Sequence, residues 1–526
     1  MNFINSLHIE GFKKFAALDV VFNEHMNILV GENEAGKSTI LDALKTVLNQ
    51  QYRNADKSVL RDLFNAKAVA AFQANPSVKM LPRIYIEVEL ELDPKQKNAS
   101  YFYGEVYGQR KQQVEKFGIR FECKYDEELG SGIEQSIQEG KIPYEYYVLT
   151  WTTFANRQYQ MIKRPLNFLS VDTSNSATAP SFNYYNRTLF TSRYDPATRA
   201  KAKNEFRAKL EDALEAANLP PISENRKFGV DSKKVVLETI LSVYEDSIAL
   251  ENRGSGMESL IKTQIALDKA NGLDVILMEE PENHLSFSTL RKMLQEISDK
   301  QEDSQIIVAT HNNMIASRLN LNNVLWITET GVKKLASVDT GVAEFFVRAD
   351  DNAFLQLLLS KKAFLVEGAT EFLLLPMFYK QITGHTIEED GVSVISCNGI
   401  SYKRYLEIAK ATDKKIAVVT DNDEKAHRIT EASSFNQANN LQHIFMGATV
   451  DEWTWEACIY KENKDVLDGM ITVEAGAAYK FHDKDYGAVL GKMLNHKVDV
   501  AYQMLTSGKT FAVPQYIKDA IGWLKE

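Results

Sequence analysis

The segment Gly31-Glu32-Asn33-Glu34-Ala35-Gly36-Lys37-Ser38 matches the pattern G-x-x-x-x-G-K-[ST], in which a glycine-rich turn cradles phosphate groups. It follows the apolar run Asn27–Val30, which indicates a strand, and it opens a helical pattern from Lys37 to Leu48. Backbone N–H groups of such a turn can face phosphates because glycine has no Cβ in the way. A chance glycine-rich turn before a helix is the competing interpretation, which the strand and helix context disfavours. The segment therefore predicts a nucleotide site on an α/β unit.

The side chains of this turn have distinct expected roles if the nucleotide is ATP. Lys37 would reach the β- and γ-phosphates, and the Ser38 hydroxyl would ligate Mg²⁺. The residues expected to contact the nucleotide are Gly31, Asn33, Gly36, Lys37, Ser38 and Thr39.

Two later apolar strands end in groups that suit the same site. Val275–Met278 is followed by Glu279 and Glu280, and Ile306–Thr310 is followed by His311. Glu279 would contribute to the coordination shell of Mg²⁺. Glu280 would act as general base or orient the attacking water. His311 could sense the γ-phosphate. A solvated strand end and a structural histidine are the competing interpretations, and the nearby phosphate-binding turn favours the functional ones.

A second unit is predicted from about residue 350, where helices and strands alternate in the order expected of a parallel sheet with helices on both faces. Glu367 and Glu371 follow its first strand, and Asp421 and Asp423 follow a later one. Ligands bind at the carboxyl ends of parallel strands. Four carboxylates gathered there repel one another unless cations compensate them, and hard ions such as Mg²⁺ or Mn²⁺ suit oxygen ligands. The pattern predicts a metal site able to act on a phosphodiester.

The composition of the chain limits which classes of protein these motifs can belong to. The chain has 526 residues with 61 basic and 71 acidic side chains, a net charge of −10 and 44% apolar residues. These values are typical of a globular protein of two to four domains and exclude a disordered or low-complexity chain. Three distant cysteines and the lack of a long apolar run predict a cytoplasmic protein without disulfides or a membrane segment. The acidic balance argues against nucleic-acid binding through net charge alone.

The first set of motifs resembles the ATP-binding-cassette ATPases, in particular their SMC-like and RecF-like branch. Arg253–Glu258 then matches the family's signature segment, with Met257 at the position of its second glycine. The resemblance implies that Ser255 and Gly256 meet ATP held by the opposite subunit of a dimer. Lys13 lies in a segment similar to the family's N-terminal basic-aromatic element and is expected to contribute to nucleotide binding.

The second set resembles the Toprim domain of topoisomerases, primases and certain nucleases. Glu367 matches its first acid, and Asp421 and Asp423 match its D-x-D pair. The resemblance also implies that Glu456, in Thr-Trp-Glu, adds a metal-binding acid. It implies that Lys509, in Lys-Thr-Phe-Ala, stabilises the cleaved phosphate. A solvated helix start and a solvent-facing lysine are the competing interpretations of these last two residues.

The order of the two halves is similar to that of the OLD family (overcoming lysogenisation defect) of ATP-dependent nucleases. The expected architecture is α/β throughout: a P-loop ATPase domain over 1–345 with a helical, dimerising insert at about 190–250, then a Toprim domain over 350–526. Within it, 196–217 is predicted to be a long exposed helix and 234–250 a further helix.

The resemblance implies an ATP-regulated, metal-dependent DNA endonuclease or nickase in antiphage defence. It also implies a dimer or tetramer, with a helicase or a reverse transcriptase and its nucleic acid as the kind of partner. Two other functions remain open on the residues alone. One is a nucleic-acid clamp whose Toprim acids bind metal for structure, and the other is a topoisomerase or primase.

Overall fold

The structure is a computed structural model in which most of the chain is described. The residues outside the description are 106–114, 129–133, 173–184, 188, 192, 232–235, 269–271, 301–303, 329–330, 336–337, 349–352, 398–400, 475–478 and 483. The described residues divide into two compact units. The first unit comprises Met1–His311 and Asn323–Lys334, and the second comprises Asn312–Asn322 and Leu335–Glu526.

Strands and helices are numbered in chain order. The strands are β1 (Phe3–Phe12), β2 (Phe15–Val21), β3 (Met26–Val30), β4 (Ile84–Glu91), β5 (Tyr103–Glu105), β6 (Glu115–Tyr125), β7 (Tyr147–Thr153), β8 (Phe168–Asp172), β9 (Tyr244–Glu245), β10 (Ile248–Ala249), β11 (Val275–Glu279), β12 (Gln305–Ala309), β13 (Val324–Thr328), β14 (Gly331–Lys334), β15 (Lys362–Val366), β16 (Val392–Ser396), β17 (Lys415–Val419), β18 (Gln442–Phe445), β19 (Lys480–Phe481) and β20 (Lys484–Asp485). The helices are α1 (Lys37–Asn49), α2 (Leu60–Leu63), α3 (Ala66–Ala74), α4 (Glu134–Gln138), α5 (Pro196–Ala216), α6 (Ser255–Leu267), α7 (Phe287–Lys300), α8 (Asn313–Arg318), α9 (Thr340–Arg348), α10 (Phe354–Leu359), α11 (Ala369–Thr383), α12 (Tyr402–Ala411), α13 (Ala426–Ala438), α14 (Trp455–Asp468), α15 (Ala488–Asn495), α16 (Lys497–Thr506) and α17 (Gln515–Lys525).

The first unit contains two six-stranded sheets. One is antiparallel, in the order β2-β1-β4-β6-β5 with β7 beside β6. The other has the order β14-β13-β3-β12-β11-β8, and all its neighbours are parallel except the pair β13 and β14. Strand β3, which leads into the phosphate-binding turn, therefore lies inside a sheet that also contains the acid-bearing strand β11.

Helix α1 contacts strands of both sheets. Its apolar positions, among them Ile40, Leu44 and Val47, are fully buried in the main core of this unit. Two aromatic side chains of the antiparallel layer also hydrogen-bond its free carbonyl groups. The Trp151 indole donates to the Thr46 carbonyl at 2.8 Å, and the Tyr159 hydroxyl donates to the Leu48 carbonyl at 3.1 Å. These contacts fix the helix that begins at Lys37.

The second unit is built on a four-stranded parallel sheet in the order β16-β15-β17-β18. The predicted alternation of strands and helices, and the α/β class with it, is confirmed. The C-terminal helix α17 packs against β17 and β18. The Lys362 ammonium donates to the carbonyl groups of Leu524 at 2.6 Å and Lys525 at 3.1 Å, which satisfies the free carbonyl groups of the helix end.

The prediction of a helical insert over 190–250 is wrong in its second half. Helix α5 forms as predicted and buries none of its residues. Among the described residues of 234–250, the predicted α-helix is replaced by a short 3-10 turn at Leu237–Thr239 and a short hairpin of β9 and β10. Asp246 and Ser247 in its turn both have positive φ angles, 47° and 66°, which suits a tight hairpin and not a helix.

The boundary between the units also differs from the predicted division at 345–350. Helix α9, assigned to the first domain by its position in the sequence, belongs to the second unit, as do residues 312–322. The buried ring of Phe346 on α9 lies 6.3 Å from that of Phe354 and 5.2 Å from that of Tyr405, between ring centroids. This aromatic packing attaches α9 to α10 and α12.

Candidate functional site

The phosphate-binding turn connects β3 to α1 and has the conformation that its glycines permit. Gly36 has a φ of 107°, and a Cβ there would lie 2.3 Å from an atom of the Phe15 ring. The Lys37 side chain folds back over the turn and donates to the carbonyl groups of Gly31 at 2.9 Å and Glu32 at 3.1 Å. Burial lowers the pKa of the Lys37 ammonium, against the fields of two nearby carboxylates. The turn thus holds one cation at its centre.

The other predicted nucleotide contacts lie in the same turn or directly after it. Asn33 and Ser38 are exposed, whereas Thr39 is buried at the start of α1. The structure therefore presents the Ser38 hydroxyl to solvent at the beginning of the helix, beside the lysine.

Strand register brings the predicted acids to the same sheet edge as the turn. Glu279 on β11 pairs with Ala309 on β12, and Ala309 pairs with Leu29 on β3. Glu280 follows with a positive φ of 44° and donates its N–H to the Ala309 carbonyl at 2.8 Å. One oxygen of its carboxylate lies 3.2 Å from His311 Nδ1, so the predicted base and the predicted sensor are in contact.

Glu282 is a further acid of this edge, in a segment whose position resembles the family's loop between two nucleotide sites, and no catalytic role was predicted for it. Its carboxylate is buried, accepts a hydrogen bond from the Thr310 hydroxyl at 2.5 Å and lies 3.8 Å from His311 Nδ1. Among the described residues, its second oxygen, Oε2, has no hydrogen-bond partner. Burial raises the pKa of Glu282. The sequence does show a third acid, Glu282, directly after Glu280-Pro281, and this could have indicated its place in the site.

Glu279, the predicted Mg²⁺ ligand, ends a chain of ion pairs. Its carboxylate lies 3.7 Å from the Lys45 ammonium, and Lys45 lies 3.5 Å from Asp42. Asp42 in turn lies 2.6 Å from the ammonium of Lys13, which has a positive φ of 47°. Lys13, predicted to bind nucleotide, is therefore tied to helix α1, and Lys45 is a cation of the site that no motif indicated.

The signature segment begins helix α6, with Ser255 as its first residue. A Cβ at Gly256 would lie 2.4 Å from the His284 carbonyl oxygen, so glycine is required for this close approach. The Ser259 hydroxyl donates to the Pro281 carbonyl at 3.1 Å. Within one chain the signature helix thus packs on the turn that follows the acids Glu279 and Glu280.

The predicted acids of the second unit gather at the carboxyl edge of its parallel sheet. Val366 pairs with Val419, which brings Glu367 next to Thr420. One oxygen of Glu367 accepts from the Thr420 hydroxyl and from the Asp421 N–H, the latter at 3.2 Å. The Asp421 carboxylate accepts from the Trp455 N–H at 2.8 Å, at the start of α14. Three separate elements are therefore joined through two carboxylates.

Two further acids of this group are buried. Glu371 is 7% exposed and accepts from the Gly368 N–H at 3.1 Å, whereas Glu456 is 3% exposed and lies 3.0 Å from the Lys497 ammonium. Burial, together with Glu456 and Glu367, raises the pKa of Glu371 to about 7. Burial and the same neighbours raise the pKa of Asp421 well above its ordinary value. The acids of this edge therefore act on one another.

Asp423 completes the D-x-D pair in a strained turn. Its φ is 55°, and its carboxylate forms an ion pair with Arg428 and lies 3.9 Å from the Lys425 ammonium. The buried Asn422 between the two acids anchors the turn. Its amide donates to three carbonyl groups, those of Gly447 at 3.1 Å, Thr449 at 2.8 Å and Glu452 at 3.1 Å.

Lys497, at the start of α16, is a cation that lies among the buried acids of this edge. Burial opposes its charged form, but Glu456, Asp421 and Glu371 together outweigh burial and raise its pKa. The predicted Lys509 is exposed, and its N–H donates to the Ser507 hydroxyl at 3.2 Å. No motif contains Lys497, which only the packing of α16 brings to Glu456.

The acids at this edge of the second unit are of the right chemical type to bind a divalent ion, but their present arrangement does not form a binding site. The donor set is Glu367, Glu371, Asp421, Asp423 and Glu456, all oxygen ligands. The buried Oε1 of Glu456 has no hydrogen-bond partner within the part of the chain that the structure describes. In the described part of the chain, no group of three or more carboxylate, imidazole or thiol side chains is placed so that it could hold a metal ion. Asp423 and Glu456 are instead paired with Arg428 and Lys497.

Comparison with known proteins defines the class of the chain. Residues 6–309, more than half of its length, match the AAA domain family, so the chain contains a P-loop ATPase domain. Residues 358–423 match the family "Overcoming lysogenization defect protein-like, TOPRIM domain". The chain therefore carries an AAA-family ATPase domain followed by an OLD-like Toprim domain, the combination expected of an OLD-family ATPase.

Individual relatives are more distant. The Old nuclease of Escherichia phage P2 is 25% identical over 167 residues, which are 30% of this chain and 28% of that protein. The SMC head domain from Thermotoga maritima is 14% identical with a TM-score of 0.30, over 62% of this chain and 94% of that one. The C-terminal region of the Xanthomonas campestris pv. campestris OLD protein is 15% identical with a TM-score of 0.24, over 32% and 92%.

None of the described helices combines the length and the apolar character that crossing a bilayer requires.

The raised pKa of Glu371 predicts that the stability of the metal-free protein depends on pH. Its pKa of about 7 lies above the ordinary 4.5, so between these values the folded chain holds a proton that the unfolded chain has released. The free energy of unfolding should therefore lose a contribution as the pH rises through this window. Glu371→Gln cannot ionise, so its thermal midpoint in EDTA should rise relative to the wild type between pH 5 and pH 8.

The control for this measurement is Glu462→Gln, which changes an exposed acid of α14 and should follow the wild type at every pH. A difference between wild type and Glu371→Gln that stays constant over this range would contradict the assignment.

Proposed function

We propose that the chain is a divalent-metal-dependent DNA endonuclease or nickase regulated by ATP. The observation that carries the proposal is the acid cluster, by which we mean Glu367, Glu371, Asp421, Asp423 and Glu456 at one edge of the second unit's sheet. So many carboxylates are costly to gather unless cations bind there. The relative from phage P2 is named a nuclease, which supports the same class of reaction.

Once a divalent ion displaces the cations that now pair with Asp423 and Glu456, the acid cluster would hold one or two Mg²⁺ or Mn²⁺ ions. Such an ion supplies the Lewis acidity that polarises a phosphodiester. Trp455 N–H and Thr420 hold Asp421 and Glu367 in fixed directions, so these two acids are the preorganised part of the donor set. Lys497 forms an ion pair with Glu456 in the buried part of the cluster. Lys509 remains proposed as a cation for the product phosphate.

ATP would bind at the turn of the first unit. Lys37 would exchange its two carbonyl partners for the β- and γ-phosphates, and Ser38 and Glu279 would hold the Mg²⁺ that accompanies ATP. Glu280 would orient or deprotonate the attacking water, since it has the positive φ and the contact with His311 that direct its carboxylate. His311 would report the state of the γ-phosphate to the same acid.

The nuclease assignment predicts the effect of isosteric substitutions in the acid cluster. Glu367→Gln and Asp421→Asn keep side-chain size but remove a charged oxygen ligand, so cleavage of supercoiled plasmid with Mg²⁺ should fall on the order of 100-fold or more. ATP hydrolysis should persist because both acids lie outside the unit that carries the phosphate-binding turn. Glu462→Gln should cleave like the wild type.

The outcome separates the candidate functions. Wild-type cleavage rates in both variants would remove the nuclease assignment. A wild-type protein that binds DNA with ATP and never nicks it would be a clamp. Plasmid relaxation with religation would indicate a topoisomerase.

Coupling between ATP and cleavage is tested by two variants of the first unit. Lys37→Ala deletes a cation of the phosphate site and should weaken ATP binding, whereas Glu280→Gln should keep ATP bound and slow its hydrolysis. Their nicking rates across an ATP titration should shift in opposite directions, since ATP can move a conformational equilibrium only through differential affinity. We expect the ATP-holding variant to cleave less. Equal, ATP-independent rates would refute regulation by ATP.

Assembly is proposed from the signature segment. Gly256 packs against the His284 carbonyl of its own chain, which holds Ser255 and Gly256 beside the turn that follows β11. Met257, the next residue, is exposed. We propose that this face meets ATP bound by a second copy in a dimer or tetramer. Sedimentation of Glu280→Gln at micromolar concentration should show at least a dimer with ATP. A monomer under this condition would contradict the proposal.

A biological setting in antiphage defence, with a helicase or a reverse transcriptase and its nucleic acid as partner, is proposed from family membership. Loss of protection in cells carrying Asp421→Asn would test it, with expression of the variant as the control.

A further inference from the structure

A cleft of the second unit adjoins the acid cluster. It lies between the starts of helices α12 and α13. We call it the basic cleft, defined by the lining residues Tyr402, Lys403, Lys425, His427, Arg428 and Glu431.

The charge of the basic cleft is opposite to that of the chain. Lys403, Lys425 and Arg428 are basic side chains, and Glu431 is the carboxylate among the described residues that line the cleft. The whole chain has a net charge of −10. A local excess of cations on an acidic protein marks a site for an anion, because nothing in the overall composition requires it. Tyr402 adds an aromatic ring at the same wall.

Arg428 connects the basic cleft to the acid cluster. Its guanidinium forms an ion pair with Asp423 and donates to the Thr420 hydroxyl at 3.4 Å. That hydroxyl donates to Glu367. Lys425 also lies 3.9 Å from the Asp423 carboxylate. Cations of the cleft therefore contact Asp423 directly and reach Glu367 through the Thr420 hydroxyl, and both acids would face a scissile phosphate.

We propose that the basic cleft binds the phosphodiester backbone of the nucleic-acid strand next to the phosphate held at the acid cluster. The proposal rests on the proposed nuclease function, because it takes the acid cluster as the point of cleavage. Successive phosphates of one strand need a cationic track that continues beyond the acids, and an acid cluster alone would repel them. Lys403 and Lys425 form that track, and Arg428 is shared between the strand and Asp423.

The test measures binding without cleavage. Fluorescence anisotropy of a labelled 20-base-pair DNA duplex with the full chain in EDTA gives the affinity at a series of salt concentrations. The variant Lys403→Ala with Lys425→Ala removes two exposed cations and no member of the acid cluster. It should bind about tenfold more weakly at low salt, with a slope of log affinity against log salt reduced by about 2.

Lys410→Ala is the matched control. Lys410 lies on α12, as Lys403 does, but at the opposite end of the helix, and its side chain is 53% exposed. Its affinity and salt slope should equal those of the wild type. Thermal unfolding of each variant checks that the fold is kept. A double variant that binds as Lys410→Ala does would overturn the proposal, as would a wild type without affinity for DNA.

Two further arms separate this inference from its alternatives. If a deoxynucleoside monophosphate displaces the duplex at equimolar phosphate, the cleft is a nucleotide pocket and the strand assignment is wrong. If the wild type binds DNA through the cleft and cleaves no plasmid with Mg²⁺, the nuclease function fails while the cleft stands. If cleavage is normal and the double variant binds DNA normally, the cleft fails while the nuclease function stands.

Discussion

The carboxyl ends of parallel strands meet at one edge of a sheet, and in both units of this chain that edge carries acids that need compensating cations. In the first unit the register aligns Glu279 with the strand that leads into the phosphate-binding turn, and Lys45 compensates it. In the second unit Lys497 compensates Glu456. Burial, together with the neighbouring acids Glu456 and Glu367, raises the pKa of Glu371 to about 7, so a proton can take the place of a cation at this position. Strand register therefore determines where the acids lie, and the neighbouring cations determine how much of their negative charge is neutralised.

Sequence alone predicted the parts of these sites that are local in the chain. The turn at 31–38 and the acids after β11, β15 and β17 are each defined within a few residues of one strand, so pattern and period were enough. Lys497 belongs to no motif and reaches Glu456 only because α16 packs where it does. The hairpin in place of a helix at 234–250 had a comparable cause, since positive φ at two non-glycine residues is a property of the folded turn.

The middle residue of the D-x-D pair shows how backbone strain and site geometry are linked. Asn422 is buried, and its amide satisfies three carbonyl groups of the loop that precedes α14. This anchor maintains the positive φ of Asp423, which would otherwise be costly for a residue other than glycine. Asp421 is then held toward Trp455 while Asp423 is held toward Arg428. The buried amide of Asn422 therefore makes the carboxylates of Asp421 and Asp423 point in different directions.

This separation has a consequence for how a metal ion and a nucleic-acid strand would influence each other. Arg428 cannot fully neutralise Asp423 and a strand phosphate at once, since both draw on one guanidinium. A strand that attracts Arg428 leaves Asp423 less compensated and so favours a divalent ion at the acid cluster. An ion at Asp423 in turn releases Arg428 for the strand. Thermodynamic reciprocity makes the two effects equal in free energy, so metal and strand would bind with positive cooperativity. In the absence of both, the pairing of Arg428 with Asp423 keeps the edge compensated.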